Sequence, residues 1–109
     1  PEELSGGMMK RVAIARAIIK NPCYFFYDEP TVGLDAVNIE NVVGLVLRLK
    51  KHICTTSIIV THDIQFMHAV AERVVLLNNG RIEFVGDKKE LSDDTLHQFY
   101  SEGARNGHE

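Results

Sequence analysis

The residues best suited to phosphate chemistry follow two short apolar runs of the chain. Asp28 and Glu29 come directly after CYFFY, and His62 comes directly after SIIVT. An acid at the end of an apolar strand is typical of a Mg²⁺ site for nucleotide phosphates, because Mg²⁺ prefers hard oxygen ligands and retains waters. Asp28 is therefore the candidate metal ligand. Side chains alternate along an extended chain, so Glu29 is expected to point elsewhere and to face water.

Each of these residues also has a purely structural interpretation. Asp-Glu-Pro at 28–30 fits a solvated turn, and His62 fits a helix cap or a hydrogen-bonded surface histidine. In TVGLDA, Gly33 fits a turn and Asp35 fits a cap for the next helix. Taken singly these alternatives hold. Their occurrence together, in this order and each at the end of a strand or helix, favours a functional site.

The stretch LSGGMMKRVAIARA places a serine and two glycines in front of a helix that carries three basic residues. Ser5 is a good helix N-cap, and Gly6 and Gly7 leave backbone N–H groups uncovered at the positive end of the helix dipole. These are the features of an anion-binding site. The alternative is that Ser5 simply caps an amphipathic helix.

Hydrophobic periodicity predicts helices over 5–20, with Met8, Val12, Ala15 and Ile19 on its apolar face, over 36–51 and over about 64–72. CYFFY and SIIVT are unbroken apolar runs too short for helices, which is typical of parallel strands covered on both faces. Together with the helix between them they predict a βαβ unit. Its strands would place the polar residues at the carboxyl edge of a sheet, where ligands bind in such folds.

After the third helix, RVVLLN and RIEFV flank Asn79-Gly80, which predicts a hairpin at one sheet edge. Residues 87–100 are expected to form one or two short helices. The closing residues 101–109 have little apolar content and are expected to fray. No sequence pattern marks an internal domain boundary.

The bulk composition limits the function classes. The chain has 109 residues, 45% of them hydrophobic, and a net charge of -3. That size fits one globular domain, and the acidic balance argues against a general nucleic-acid binder. No apolar run approaches the ~20 residues that cross a bilayer, and no secretory leader opens the sequence. Cys23 and Cys54 stand alone among apolar residues and are expected to be reduced core residues.

With these segments in place, the chain resembles the second half of an ABC-type ATPase domain. LSGGMMKR resembles the family signature, YFFYDEP the Walker B strand, TVGLDA the D-loop and IIVTHD the switch-histidine segment, in the family's order and spacing. The resemblance implies an α/β fold, the C-terminal half of a P-loop NTPase (RecA-like) domain with a mainly parallel sheet and flanking helices. It covers residues 1–91, and residues 92–109 are expected to form a short helix and a tail.

In this family two ATPase domains stack head to tail around ATP. The residues that the resemblance places on the partner's nucleotide are Ser5, Gly6, Gly7 and Met8. Asp35 would contact the other domain across the dimer. Asp28 would hold Mg²⁺, Glu29 would act as the general base for the attacking water, and His62 would sense the γ-phosphate.

The sequence departs from the family pattern in three respects. Met8 stands where many signatures have Gln, and Ala36 stands where Pro often follows the D-loop aspartate. More seriously, these residues contain no GxxxxGK[ST] loop, no Gln-containing loop and no aromatic residue placed to stack on adenine. The chain is therefore expected to be a C-terminal fragment of an ATPase domain and to be inactive alone.

The resemblance implies ATP and Mg²⁺ as cofactors, and a second ATPase subunit and a transmembrane permease as partners, without nucleic acid. It places the protein peripherally on the cytoplasmic face of the inner membrane. SGGMMKR and LHQFYSEG look most like the ATPases of Mce- and Mla-type lipid transport systems.

Two other functions remain open. One is a soluble ABC protein acting on ribosomes or DNA, for which no basic surface or coiled-coil insertion is visible. The other is a non-hydrolysing dimerisation piece, against which the presence of Glu29 and His62 argues.

Overall fold

The chain is described by a computed structural model that covers residues 6–52 and 55–106. It divides into two compact units, Pro1–Val70 and Ala71–Glu109. The elements of the first unit are, in chain order, α1 (Gly6–Ile18), β1 (Tyr24–Asp28), α2 (Ala36–His52), β2 (Thr56–Val60) and α3 (Ile64–Val70). Those of the second are β3 (Arg73–Asn78), β4 (Arg81–Asp87), a short 3₁₀ helix (Lys88–Glu90) and α4 (Asp93–Asn106). The predicted α/β class is confirmed, while the predicted division after residue 91 stays a prediction.

The first unit contains the predicted βαβ arrangement. Strands β1 and β2 pair in parallel, from Tyr24 opposite Thr56 to Asp28 opposite Val60, and α2 connects them. Because the strands are parallel and end in register, the residues that follow each strand emerge at the same edge of the sheet. Helix α1 ends just before Asn21, which has the left-handed φ of 53° and donates its N–H to the Ile18 carbonyl at 2.8 Å.

One hydrophobic cluster holds the first unit together. Its buried members come from β1 and from all three helices: Ile14, Phe25, Tyr27, Val42, Val46, Phe66 and Val70. The rings of Phe25 and Tyr27 lie 4.5 Å apart, and burial raises the pKa of the Tyr27 phenol. The helices therefore pack against the face of β1 that carries these two rings.

The expectation that β1 is covered on both faces is wrong for this structure. Burial alternates along the strand, and Tyr24 and Phe26 are 65% and 70% exposed. The reason is that all three helices contribute to the cluster around Phe25 and Tyr27. Cys23, expected in the core, is also exposed at the start of this strand, whereas Cys54 lies outside the described residues.

The apolar face predicted for α1 is also not the one that the helix buries. Met8, Val12 and Ile19 are exposed, and Ile14 is the apolar side chain that enters the cluster. Apolar residues occur almost all round this helix, so periodicity did not single out a face.

The second unit is built on the predicted hairpin. β3 and β4 pair antiparallel as a two-stranded sheet of their own, with an irregularity between Leu76 and Leu77. Asn79 and Gly80 have φ values of 49° and 75° at the turn. Both central residues are thus left-handed, as a type I′ turn requires, and the Asn-Gly signal is confirmed.

The expected fraying of residues 101–109 is wrong for residues 101–106, because α4 continues to Asn106. Ser92 caps this helix, with its Oγ accepting the N–H of Thr95 at 3.1 Å. Further along, Gln98 donates to Glu102, and Ser101 donates to the His97 carbonyl. In the part of the chain that the structure describes, no helix has the length and apolar character needed to cross a bilayer.

The pattern of burial predicts that two phenylalanines contribute very differently to the free energy of unfolding. Phe66 is 1% exposed, so Phe66→Ala removes a buried ring and should lower the free energy of unfolding by about 3–5 kcal/mol. Phe26→Ala, the matched control, removes a ring that is 70% exposed and should cost about 1 kcal/mol or less. Urea denaturation followed by circular dichroism measures both, and equal losses would contradict this assignment of the core.

Candidate functional site

The site lies at the carboxyl edge of the parallel pair. β1 ends at Asp28, and the backbone N–H of the next residue, Glu29, donates to the Val60 carbonyl at 2.8 Å. This bond fixes Glu29 beside the end of β2. His62 follows two residues after Val60, and its Nδ1–H donates to Glu29 Oε1 at 2.9 Å. Two of the residues singled out from the sequence are therefore in direct contact.

Glu29 has an unusual backbone conformation, with a φ of 47°. Residues other than glycine rarely occupy this left-handed region, and those that do cluster at functional sites. The Asp28 side chain is exposed, and that of Glu29 is 34% exposed. From the sequence, strand alternation was expected to direct the two acidic side chains apart. In the structure the strand ends at Asp28, and Glu29 has a left-handed backbone instead of an extended one.

The Glu29 carboxylate is asymmetric. Oε1 accepts from His62, whereas Oε2 is buried and has no hydrogen-bond partner among the described residues. A buried carboxylate oxygen without a partner gains free energy when a proton donor such as water reaches it. Glu29 can therefore both hold the imidazole with one oxygen and accept a proton with the other.

The surroundings of His62 raise its pKa. The hydrogen bond that His62 donates to Glu29 and then the negative charge of Glu29 raise the pKa of His62 above 6.5, and Asp63 adds a smaller effect in the same direction. A raised pKa favours the imidazolium, which is attracted to phosphate. The contribution of this group to stability is fully present below pH 6.5 and disappears as the pH rises through the raised value.

A second contact links the same two loops. Thr31 is 6% exposed, and its Oγ1 donates to Asp63 Oδ2 at 3.3 Å. Asp63 Oδ1 accepts the N–H of Phe66 at 3.0 Å and caps α3, while the Asp63 N–H donates to Thr61 Oγ1 at 3.0 Å. Thr31 was not selected from the sequence, because its partner is 32 positions away and only the fold brings the two residues together.

The loop between β1 and α2 has the turn and the helix cap that were expected from its sequence. Gly33 has a φ of 76° and makes the turn, and Asp35 Oδ1 accepts the N–H of Asn38 at 2.9 Å to cap α2. The Asp35 side chain is nevertheless exposed, so capping leaves part of the carboxylate open to a partner.

The two glycines of the signature begin α1 and differ in their surroundings. Gly6 is exposed, and a Cβ there would make an ordinary 3.5 Å contact with Leu34. Gly7 is buried, and a Cβ there would overlap the side chain of Asn38. The first turn of α1 therefore packs closely on α2, with its N–H groups open at Gly6. Ser5 lies outside the described residues, and Met8 is 42% exposed.

Asp28 fits a magnesium ligand of the kind that relies on few protein groups. Its exposed carboxylate stands at the strand end, and the described residues contain no cluster of three or more His, Cys, Asp or Glu side chains that would form a closed metal cage. Mg²⁺ usually takes one or two carboxylates together with waters and phosphate oxygens. An open carboxylate of this kind suits a metal that arrives with a nucleotide.

Comparisons with known proteins find similarity to ABC transporters in both sequence and fold. The profile of the ABC transporter family matches residues 1–32. The sn-glycerol-3-phosphate import ATP-binding protein UgpC of Chromobacterium violaceum is 43% identical over 93 residues, which are 85% of this chain and 25% of that protein.

Two solved structures extend the match to the fold. A metal-chelate type ABC transporter in an inward-facing conformation superposes with a TM-score of 0.85 and 30% identity, over 92% of this chain and 40% of that one. The ATP-binding cassette MJ0796, a dimer bound to ADP and Pi after hydrolysis, gives a TM-score of 0.68 and 38% identity, over 80% and 37%. Over these stretches the chain is similar in sequence and fold to part of the ATPase domain of ABC transporters. It spans about a quarter of the length of the curated relatives it matches.

The relatives do not support the predicted resemblance to lipid-transport ATPases of the Mce and Mla type. They are named for sn-glycerol-3-phosphate import.

The contact between Glu29 and His62 predicts a shift in titration. In Glu29→Gln the hydrogen bond partner loses its charge, so the pKa of His62 should fall toward 6.5. Following the His62 ring protons by NMR against pH measures this change. Glu40→Gln, on the exposed side of α2, is the control and should leave the midpoint of His62 where it is. Identical curves for wild type and Glu29→Gln would show that the contact does not form in solution.

Two glycine substitutions test the packing of α1 on α2. Gly7→Ala forces Asn38 aside and should destabilise the protein by about 1–3 kcal/mol. Gly44→Ala, inside α2 with open space around it, should stabilise it by about 0.5–1 kcal/mol. Thermal and urea unfolding give both values, and a neutral Gly7→Ala would mean that the two helices do not approach as closely as described.

Proposed function

We propose that the chain belongs to the ATP-hydrolysing subunit of an ABC transporter, as part of its ATPase domain. The observation that carries the proposal is the contact of Glu29 with His62 at the carboxyl edge of β1 and β2, beside the open carboxylate of Asp28. Similarity to a dimeric ATP-binding cassette that holds ADP and Pi supports the same reaction.

Within this proposal each side chain has a role that its surroundings suit. Glu29 is the general base, because its buried Oε2 has no hydrogen-bond partner among the described residues and can accept a proton once the attacking water reaches it. His62 meets the γ-phosphate, and its raised pKa favours the charged form for that contact. Asp28 holds Mg²⁺, which would supply charge neutralisation of the phosphates.

Other residues act on the nucleotide bound by a second subunit. Gly6 and Gly7, with Ser5 and Met8, would offer backbone N–H groups and the helix dipole to that subunit's γ-phosphate. Asp35, whose exposed carboxylate caps α2, would contact the other subunit across the dimer. The working unit is then a head-to-tail pair of ATPase subunits on a permease, at the cytoplasmic face of the membrane.

The transported solute is proposed from the relatives. UgpC proteins of several bacteria are named for import of sn-glycerol-3-phosphate, and we favour a small polar solute of this kind over a lipid. A chimera tests it: residues 1–91 replace the matching segment of a UgpC subunit, and uptake of sn-glycerol-3-phosphate is measured in cells that lack their own subunit. Loss of uptake with intact ATPase activity would argue against an importer of that class.

A non-hydrolysing dimerisation piece is the second candidate, and the Glu29 geometry disfavours it. Such a piece needs neither a carboxylate with a buried, unpartnered oxygen nor an imidazole hydrogen-bonded to that carboxylate. The left-handed backbone of Glu29 is also of a kind that clusters at functional sites.

The reaction predicts different consequences for the two adjacent acids in the full-length subunit. Glu29→Gln keeps the shape, removes the base and should lower turnover by about 10²- to 10⁴-fold while Mg·ATP still binds. Asp28→Asn removes a charged metal ligand and should first raise the Mg²⁺ concentration needed for half-maximal activity.

Single-turnover hydrolysis at several Mg²⁺ concentrations separates these effects. Size-exclusion chromatography of Glu29→Gln with ATP should show the closed dimer accumulating. A Glu29→Gln protein that hydrolyses ATP at the wild-type rate would remove Glu29 from its role as the base.

A further inference from the structure

We propose that Thr31 and Asp63 are positioning residues, whose mutual hydrogen bond keeps the Glu29 carboxylate and the His62 imidazole in contact. Thr31 lies two positions after Glu29, and Asp63 lies directly after His62. The bond therefore joins the two loops just beyond the reacting side chains. This inference rests on the proposed function for its consequence, though its geometric part can be tested without turnover.

The contact between Glu29 and His62 needs support from outside the pair. Their side chains are 34% and 74% exposed, and an exposed ion pair contributes little because water screens it and both side chains lose freedom. Glu29 also has a left-handed φ of 47°, which persists only where the surroundings impose it. The backbone bond from the Glu29 N–H to the Val60 carbonyl fixes Glu29 beside β2, and a side-chain interaction beyond it is needed to hold the two loops together.

The bond from Thr31 to Asp63 is such an interaction. Its oxygens are 3.3 Å apart, which is longer than most O–H···O bonds, but Thr31 is only 6% exposed and water has little access to compete. Asp63 is itself held at both ends, by the N–H of Phe66 and by Thr61 Oγ1. Asp63 is thus a fixed acceptor at the N-cap of α3, and the hydrogen bond from Thr31 attaches the Glu29 loop to it.

Lys10 also contacts this loop, but its hydrogen bond does not join the two loops to each other. Lys10 Nζ donates to the Glu29 carbonyl at 3.4 Å, and it reaches there from α1. A long, flexible side chain on a backbone carbonyl restrains Glu29 relative to α1 only. The described contact between the side chains of the two loops, apart from the reacting pair, is that of Thr31 with Asp63.

The test compares isosteric variants in the full-length subunit. Thr31→Val removes the hydroxyl and keeps the shape, so kcat for ATP hydrolysis should fall about 3- to 10-fold with KM for ATP within about twofold of wild type. Thr31→Ser restores the hydroxyl and should return kcat to within about twofold. Thr56→Val makes the same exchange at an exposed position at the opposite end of β2 and should leave kcat unchanged.

A spectroscopic measurement reports on the geometry without nucleotide. At fixed pH the ¹⁵N shifts of the His62 ring in Thr31→Val should move toward those of Glu29→Gln, in which the contact is lost, while Thr31→Ser and Thr56→Val keep the wild-type shifts. If Thr31→Val does not fold, Thr31→Ala takes its place, since it also lacks the hydroxyl, leaves the charge of Asp63 unchanged and should move the same signals.

A double mutant measures the coupling of the two residues. If they act through one bond, Thr31→Val combined with Asp63→Asn should be no slower than the slower single variant. Multiplying effects, wild-type ring shifts in Thr31→Val, or no rescue by Thr31→Ser would each overturn the inference. A wild-type subunit without ATPase activity would instead overturn the proposed function, and the ring shifts would still decide the positioning role.

Discussion

The whole site depends on the parallel, in-register pairing of β1 and β2. Five residues of each strand face each other, and both strands end at the same level. The hydrogen bond from the Glu29 N–H to the Val60 carbonyl continues this ladder one step past the strand. A slip by one residue would turn Glu29 to the other face of the sheet and remove it from His62. Register is therefore what places a base next to an imidazole.

The clustered core maintains this register from one side. Phe25 and Tyr27 alternate into the helices, so moving β1 by one position would expose both rings and bury their exposed neighbours. Val42 and Val46 of α2 and Phe66 of α3 complete the cluster. The connecting helix and the helix that follows β2 thus hold the two strands whose ends carry the chemistry. The same interactions stabilise the fold and fix the spacing of the site.

The sequence was informative wherever a local pattern determines the structure. Apolar runs, helical periodicity and the Asn79-Gly80 turn predicted the order and type of the elements, and with them the edge at which Glu29 and His62 meet. What depends on three-dimensional neighbours escaped prediction. The left-handed turn at Glu29, the one-sided burial of β1 and the bond from Thr31 arise from packing between distant segments, which leaves no periodic trace. Helix α4 extends beyond its predicted end because a cap and polar contacts between successive turns stabilise it in place of apolar contacts.

The exposed face of β1 has a consequence for how the chain behaves in a crowded solution. Tyr24 and Phe26 project from a strand of the composition YFFYD, which combines aromatic side chains with a single charge at its end. Short aromatic segments of low net charge can stack with their own copies in cross-β assemblies when they are exposed. We therefore expect this strand to promote self-association while no other surface covers it, so that the 109-residue chain stays dispersed at low concentration or beside a protein that shields that face.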